Sequence, residues 1–208
     1  MRLFWSPRSP FARKAMVVAH EVGVANRIEQ VTTIVTAETF NADYASINPT
    51  GLLPALELED GHVLFDSDVI CEYLDTVFGG EHLLPRPLAA RFQVLKRQSL
   101  GNGLMDRAVR WLGENFRPPA LKSDDVIRSC RQSIQAMLDS LEIDATAAGD
   151  KRFDMGDATV ACALSYLDFR FAAERWRDGR PCLATRYAAQ ALRPSLRETE
   201  YIAAKPSI

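Results

Sequence analysis

Residues 2–23 read RLFWSPRSPFARKAMVVAHEVG, and this stretch joins a strand pattern to a helix pattern. Its first four residues are mostly apolar and are interrupted by Ser6-Pro7, which is typical of a short buried strand. From Phe11 onward apolar residues recur at helical spacing, and Gly23 stands where a helix often ends in glycine. The stretch therefore predicts a strand that leads directly into a helix.

The following residues extend this beginning into a small α/β domain. A run rich in β-branched residues predicts a second strand, and two alternating segments around Glu59-Asp60-Gly61 predict an antiparallel hairpin. The predicted strands cover 28–33, 55–59 and 62–65, and the predicted helices cover 39–47 and 69–78. The element order is then βαβ, a helix, ββ and a helix, within a domain over residues 1–80.

The chain changes character after Gly79-Gly80. Two prolines, Pro85 and Pro87, follow the glycines, and no strand pattern comes after them. Helical patterns are predicted over 88–114, from 126 to 141, over 158–167 and from 181 to 192. The 158–167 segment carries no charge, which predicts a central buried helix. We expect an all-helical domain over residues 87–208.

Composition and charge exclude several classes of protein. The chain has 208 residues, of which 47% are apolar and 25% charged, with a net charge of −2. These values exclude a disordered chain, a collagen and a disulfide scaffold, and they do not favour binding to nucleic acid or to an anionic membrane. The N-terminal residues lack the apolar core of a secretion signal, and apolar runs are too short to span a membrane. We therefore expect a cytoplasmic protein.

The cysteines and histidines show no ligand spacing. The four cysteines lie at least 20 positions apart and form no Cys-x-x-Cys pair, and the three histidines are equally scattered. We interpret both sets as structural and expect no metal site.

Three short segments carry the candidate chemistry, and the first is Ser9-Pro10-Phe11, at the transition from strand to helix. Amide groups at a helix N-terminus are unpaired and favour an anion. The Ser9 hydroxyl can act there as a helix cap, or it can donate a hydrogen bond to an oxyanion or a thiolate.

The second and third segments flank the hairpin. Residues 48–54 read NPTGLLP, and a cis Leu53-Pro54 bond would leave the Leu53 amide and carbonyl free to pair with an extended, peptide-like ligand. Asp66 and Ser67 begin the helix after the hairpin. They can cap that helix, or they can hold an amino-acid head group, with Asp66 binding the ammonium and Ser67 the carboxylate.

In this order, and followed by a helical domain, the three motifs resemble the cytosolic glutathione transferase superfamily, in particular its serine-type theta-, zeta- and phi-like members. The resemblance covers nearly the whole chain. It implies a thioredoxin-like N-terminal domain, an all-helical C-terminal domain and a homodimer. It also implies glutathione as co-substrate, a small hydrophobic electrophile as second substrate, and a role in detoxification.

The resemblance also assigns roles to residues. Ser9 matches the serine that donates to the glutathione thiolate, and Asp106 matches an acidic residue that reaches the γ-glutamyl amine bound by the partner subunit. Glutathione itself would be bound by Phe11, Leu52, Leu53, Pro54, Asp66 and Ser67, with the help of Asp106. The absence of a cysteine near Ser9 argues against the cysteine-type, thiol-transfer branches.

Two departures from the family pattern favour an alternative, a binding protein that keeps the fold with little or no turnover. Leu52 stands where a basic or polar residue often meets the glycyl carboxylate, so that Arg13 or another base would have to replace it. The family's usual Ser or Thr cap, three residues before an aspartate, is expected to be replaced by Gly156 at the start of the helix over 158–167.

Overall fold

A computed structural model describes residues 1–36, 39–147 and 152–202. The chain divides into two units. The first unit contains Met1–Arg86 together with the described residues from Pro194 onward, and the second contains Pro87–Arg193. No helix of the described residues is long and apolar enough to cross a membrane.

The first unit is built on a mixed sheet of four strands, β1 (Arg2–Trp5), β2 (Glu29–Thr32), β3 (Ala55–Glu57) and β4 (Val63–Leu64). Their order is β2-β1-β3-β4. β1 and β2 are parallel, whereas β1 with β3 and β3 with β4 are antiparallel. The predicted βαβ order and the hairpin are confirmed.

The described residues of the first unit also form the helices α1 (Pro10–Glu21), α2 (Ala42–Ile47) and α3 (Ser67–Phe78). α1 packs against α3 and buries most of its length. On the α2 side, the rings of Phe4 and Tyr44 lie 5.9 Å apart in a small core. Burial of Pro10 and of residues 12–19 therefore fixes α1 within the first unit.

The second unit is helical, with α4 (Leu88–Phe116), α5 (Asp124–Ala147), α6 (Met155–Phe171) and α7 (Pro181–Gln190). α6 is buried over most of its length, as its apolar sequence predicts. It packs against α4 at Gly101, where an added Cβ would come within 2.8 Å of the Thr159 side chain. A mixed four-stranded sheet with a helical second unit confirms the predicted fold class.

The prediction that Gly156 caps α6 is wrong. Asp154 is the N-cap, and its carboxylate accepts from the Asp157 amide at 3.0 Å, while the Asp157 carboxylate accepts from the Asp154 amide at 3.3 Å. Gly156 lies inside the first turn, where it packs so closely on α4 that a Cβ would come within 2.9 Å of the Val94 carbonyl. The usual pattern of a cap followed by an aspartate three residues later is thus present, with aspartate as the cap.

A short helix, α8 (Pro194–Arg197), follows α7 and belongs to the first unit. It packs on α1. The sequence patterns do not predict it, since four residues are too few to show helical periodicity.

Candidate functional site

The register of the sheet brings the three candidate segments to one edge. Phe4 is paired with Ala55, and Leu56 is paired with Leu64. The chain after β1, the chain before β3 and the chain after β4 therefore all lie at the same edge of the sheet, the one formed by the ends of the strands. Ser9, Leu53 and Asp66 lie in these three segments.

Ser9 is the N-cap of α1. Its hydroxyl oxygen accepts a hydrogen bond from the Ala12 amide at 3.3 Å, and its own amide donates to the Ser6 carbonyl at 3.0 Å. A serine hydroxyl has one proton to donate besides its acceptor lone pairs. Within the ranges that the structure describes, this proton has no acceptor. The capping role is confirmed, and it leaves the proton available for an anion.

The Leu53–Pro54 peptide bond is cis, as proposed from the sequence. The Leu53 side chain packs against the core that contains Phe4 and Tyr44. The preceding carbonyl, that of Leu52, accepts from the Tyr44 hydroxyl and from the Asn48 side-chain amide, both at 2.7 Å. Burial raises the pKa of the Tyr44 phenol, so it stays protonated and remains a donor.

The peptide groups of Leu53 take no part in this hydrogen-bond network. Neither its amide N–H nor its carbonyl has a hydrogen-bond partner among the residues described. Backbone groups in a folded domain are normally paired with protein or water. Leu53 thus offers one donor and one acceptor at the sheet edge, which is the arrangement that an extended ligand can pair with.

Asp66 is the N-cap of α3, where its carboxylate accepts from the Asp68 amide at 2.9 Å. Ser67 is the first residue of α3 and is buried, and its hydroxyl makes no hydrogen bond to any described residue. The capping role of Asp66 is confirmed. The exposed carboxylate of Asp66 and the hydroxyl of Ser67 offer, side by side, an acceptor for an ammonium and a donor for a carboxylate.

An ion pair that the sequence reasoning missed joins the two helix starts. Lys14 of α1 is fully buried, and its ammonium contacts the carboxylate of Asp68 on α3. A buried ammonium needs a partner, because its desolvation is otherwise costly. Lys14 lies between Arg13 and an apolar run, and nothing in the sequence indicates that its partner is 54 positions away.

Other predicted residues stand apart from these contacts. Phe11 is half-buried at the second position of α1, and Leu52 is 66% exposed. Asp106 lies on α4 in the second unit with its side chain 69% exposed, 4.0 Å from the Arg107 guanidinium. Arg13 is not available as a substitute base for Leu52, because it is buried and its guanidinium donates to the Leu196 carbonyl at 2.9 Å.

A metal centre is not evident in the parts of the chain that the structure describes, where no group of three or more His, Cys, Asp or Glu residues is arranged to hold an ion.

The chain is similar to known proteins over most of its length. Residues 8–77 match the model of the glutathione S-transferase N-terminal domain, and residues 124–185 match that of the C-terminal domain. The GST-like protein YibF of Escherichia coli K12 is 34% identical over 188 residues, which are 88% of this chain and 90% of that protein.

Solved structures agree with this. A glutathione transferase family member from Pseudomonas fluorescens with bound glutathione superimposes with a TM-score of 0.91 at 36% identity, covering 97% of this chain and 99% of that one. A structure of a family member from the same organism with bound S-(propanoic acid)-glutathione gives a TM-score of 0.88 at 37% identity, covering 98% and 100%. With both family domains matched in order and a curated relative aligned over 88% of the chain, the chain belongs to the cytosolic glutathione S-transferase superfamily.

Proposed function

We propose that this protein is a glutathione transferase in which Ser9 activates the glutathione thiol for attack on a small hydrophobic electrophile. The observation that carries the proposal is the hydroxyl proton of Ser9, which has no acceptor among the described residues. It lies at the N-terminus of α1, on the same sheet edge as the unpaired backbone of Leu53 and the start of α3.

The chemistry follows from the ionisation of a thiol. A free thiol has a pKa of about 8.5 and is mostly protonated at neutral pH, whereas the thiolate is the nucleophile. A hydroxyl donor stabilises the thiolate, and the positive end of α1 acts in the same direction. The thiolate then forms a carbon–sulfur bond with the electrophile, and the electron pair leaves with a leaving group or moves to a neighbouring carbon that takes a proton from water.

The edge also supports an orientation for glutathione. Its cysteinyl backbone would pair, as an extended peptide does, with the amide and carbonyl of Leu53 just before β3 begins. Its γ-glutamyl ammonium would contact Asp66, and its γ-glutamyl carboxylate would contact Ser67 and the first amides of α3. The ligands of the Pseudomonas fluorescens structures, glutathione and S-(propanoic acid)-glutathione, support a glutathione site and a small second substrate.

Pro54 and Phe11 would support this site rather than react. Pro54, which is buried, would hold the peptide groups of Leu53 in place, and Phe11, which is half-buried, would line the entrance beside Ser9. Leu52 offers no charge to the glycyl carboxylate.

The proposal extends to the assembly and to the role of the protein in the cell. We propose a homodimer in which Asp106 reaches the γ-glutamyl amine bound by the partner subunit, and a cytoplasmic protein that removes reactive electrophiles. A stable monomer at micromolar concentration in analytical ultracentrifugation would remove the role given to Asp106.

The experiment that tests the proposal combines binding with conjugation. Isothermal calorimetry at neutral pH should show glutathione binding, and the complex should develop the ultraviolet absorbance of a thiolate. A panel of electrophiles with different leaving groups then tests for conjugates by mass spectrometry. No binding of glutathione would reject the proposal, while binding without any conjugate would favour the glutathione-binding protein without turnover, for which the apolar Leu52 is the remaining argument.

A further inference from the structure

The segment 194–202, called here the C-terminal strap, crosses from α8 to the turn that carries Ser9. It follows the second unit in the sequence but belongs to the first unit. It contacts α1 near both ends of that helix, and its last described residue reaches the turn before α1.

Arg13 anchors the strap. The residue is 5% exposed, and its guanidinium donates to the Leu196 carbonyl at 2.9 Å and to the Thr199 hydroxyl at 3.3 Å. The same guanidinium lies 4.4 Å from the centre of the Tyr201 ring. A buried guanidinium is costly unless its donors are satisfied, so these contacts fix the strap and the helix to each other.

The strap also touches the turn of Ser9 directly. The Ile202 amide donates to the Pro7 carbonyl at 3.3 Å. Pro7 lies between Ser6 and Ser9, and the Ser6 carbonyl accepts from the Ser9 amide at 3.0 Å. The turn is thus restrained from inside by its own hydrogen bond and from outside by the strap.

We propose that the C-terminal strap positions Ser9, with Arg13 and the backbone of Ile202 as its positioning groups. This inference rests on the proposed role of Ser9 as thiolate donor. Burial fixes α1 from its first residue, Pro10, but the residues before the helix are half-buried or exposed, so the place of the Ser9 hydroxyl depends on the turn. A misplacement of about 1 Å in a catalytic group can reduce a rate about 100-fold.

The test compares a substitution that removes the backbone donor of Ile202 with one that keeps it. Ile202→Pro removes the N–H that donates to the Pro7 carbonyl, and Ile202→Ala keeps it. The Ile202 side chain is 63% exposed, so its replacement changes packing little. Because a neutral hydrogen bond contributes about 1 kcal/mol, we expect Ile202→Pro to reduce kcat/KM about fivefold and to raise the pKa of bound glutathione, with Ile202→Ala like the wild type. Equal behaviour of the two variants, at equal melting temperature, would overturn the proposal.

A second readout needs no glutathione. Amide hydrogen exchange of Ser9 reports the restraint on the turn and should accelerate in Ile202→Pro but not in Ile202→Ala. An unchanged exchange rate of the Ser9 amide in Ile202→Pro would overturn the positioning role of the C-terminal strap, whatever the activity of the variant. If exchange accelerates but the wild type forms no thiolate with glutathione, the proposed function of Ser9 has failed and the positioning inference falls with it.

Arg13 is tested by Arg13→Met and the conservative Arg13→Lys. Arg13→Met should accelerate exchange at Ser9 and raise the pKa of bound glutathione, and Arg13→Lys should restore part of both, since an ammonium can still donate to the Leu196 carbonyl. A merely structural Arg13 would lower the melting temperature without changing the thiol pKa, which would remove it from the positioning groups.

Discussion

Replacing Ser9 by alanine tests the central step of the proposed chemistry. A hydrogen bond to a charged group contributes about 1.5–3 kcal/mol, and one pKa unit corresponds to about 1.4 kcal/mol. Loss of the hydroxyl should therefore raise the pKa of bound glutathione by about one to two units. The N-terminus of α1 stays in place and retains its smaller contribution of about 0.3–1 kcal/mol. The pKa should thus stay slightly below that of the free thiol.

The assay is a pH titration of thiolate absorbance in the saturated complex, with kcat/KM measured on one electrophile over the same range. The kcat/KM at neutral pH should fall about tenfold to a hundredfold and partly recover as the pH rises. Since Ser9 also caps α1, alanine should lower the free energy of unfolding by about 1 kcal/mol. Ser9→Gly removes the same hydroxyl, but as a cap it costs only a few tenths of a kcal/mol relative to serine.

These two variants separate the cap from the donor. If Ser9→Ala and Ser9→Gly lose activity equally while differing in stability, the hydroxyl acts on the thiolate. Ser6→Ala serves as the matched control, because Ser6 lies in the same turn and its hydroxyl accepts only from the Arg8 amide at 3.3 Å among described groups. An unchanged thiol pKa in Ser9→Ala would refute the reasoning and transfer the donor role to another residue.

Three further predictions concern other parts of the chain. Leu52→Lys should lower the Kd for glutathione by up to about fivefold in calorimetry at low salt, because it adds an exposed charge near the glycyl end, and the gain should shrink as salt increases. Asp154→Ala should lower the free energy of unfolding by more than about 1 kcal/mol in urea titrations, since it removes both the cap of α6 and the largely buried carboxylate that contacts the Arg97 guanidinium, and an unchanged value would contradict the capping box. Burial raises the pKa of Glu142, but hydrogen bonds from the Leu183 and Cys182 amides outweigh it and hold the pKa below its usual value. Its stabilisation should be complete above the ordinary carboxyl pKa of about 4.3 and be lost as the pH falls through the folded-state value, so Glu142→Gln should be destabilised at neutral pH and like the wild type at strongly acid pH.

The regular elements were predictable because their signals are local. Apolar spacing in residues 11–22 and 158–167, and alternation around Gly61, each lie within a dozen residues and require no partner to be recognised. Helix boundaries were harder to predict, since the packing around the start of a helix decides which residue becomes its cap. The sequence predicts Gly156 as the cap of α6, whereas in the structure Asp154 is the cap and Gly156 lies inside the helix against α4.

The candidate site, too, was predictable from the sequence only in part. The residue types of Ser9, Leu53 and Asp66 indicated their chemistry, but the same types serve as ordinary caps and turns in many proteins. Their common place at one sheet edge depends on the register between β1 and β3, whose paired residues are more than fifty positions apart, as well as on the local pairing of β3 with β4. The buried pair of Lys14 and Asp68 has no local signal at all.

By itself the sequence determined which elements form, in what order, and which residue types stand at the helix starts, because spacing, caps and turns act over one or two helical turns. Only the tertiary structure decided which hydrogen-bonding groups remain unused. Among the residues that the structure describes, the Ser9 hydroxyl accepts a hydrogen bond but its proton has no acceptor, and the Leu53 amide and carbonyl have no partner. The Arg13 guanidinium, by contrast, donates to the C-terminal strap. Whether a polar group is free depends on every neighbour that could satisfy it, and those neighbours come from distant parts of the chain.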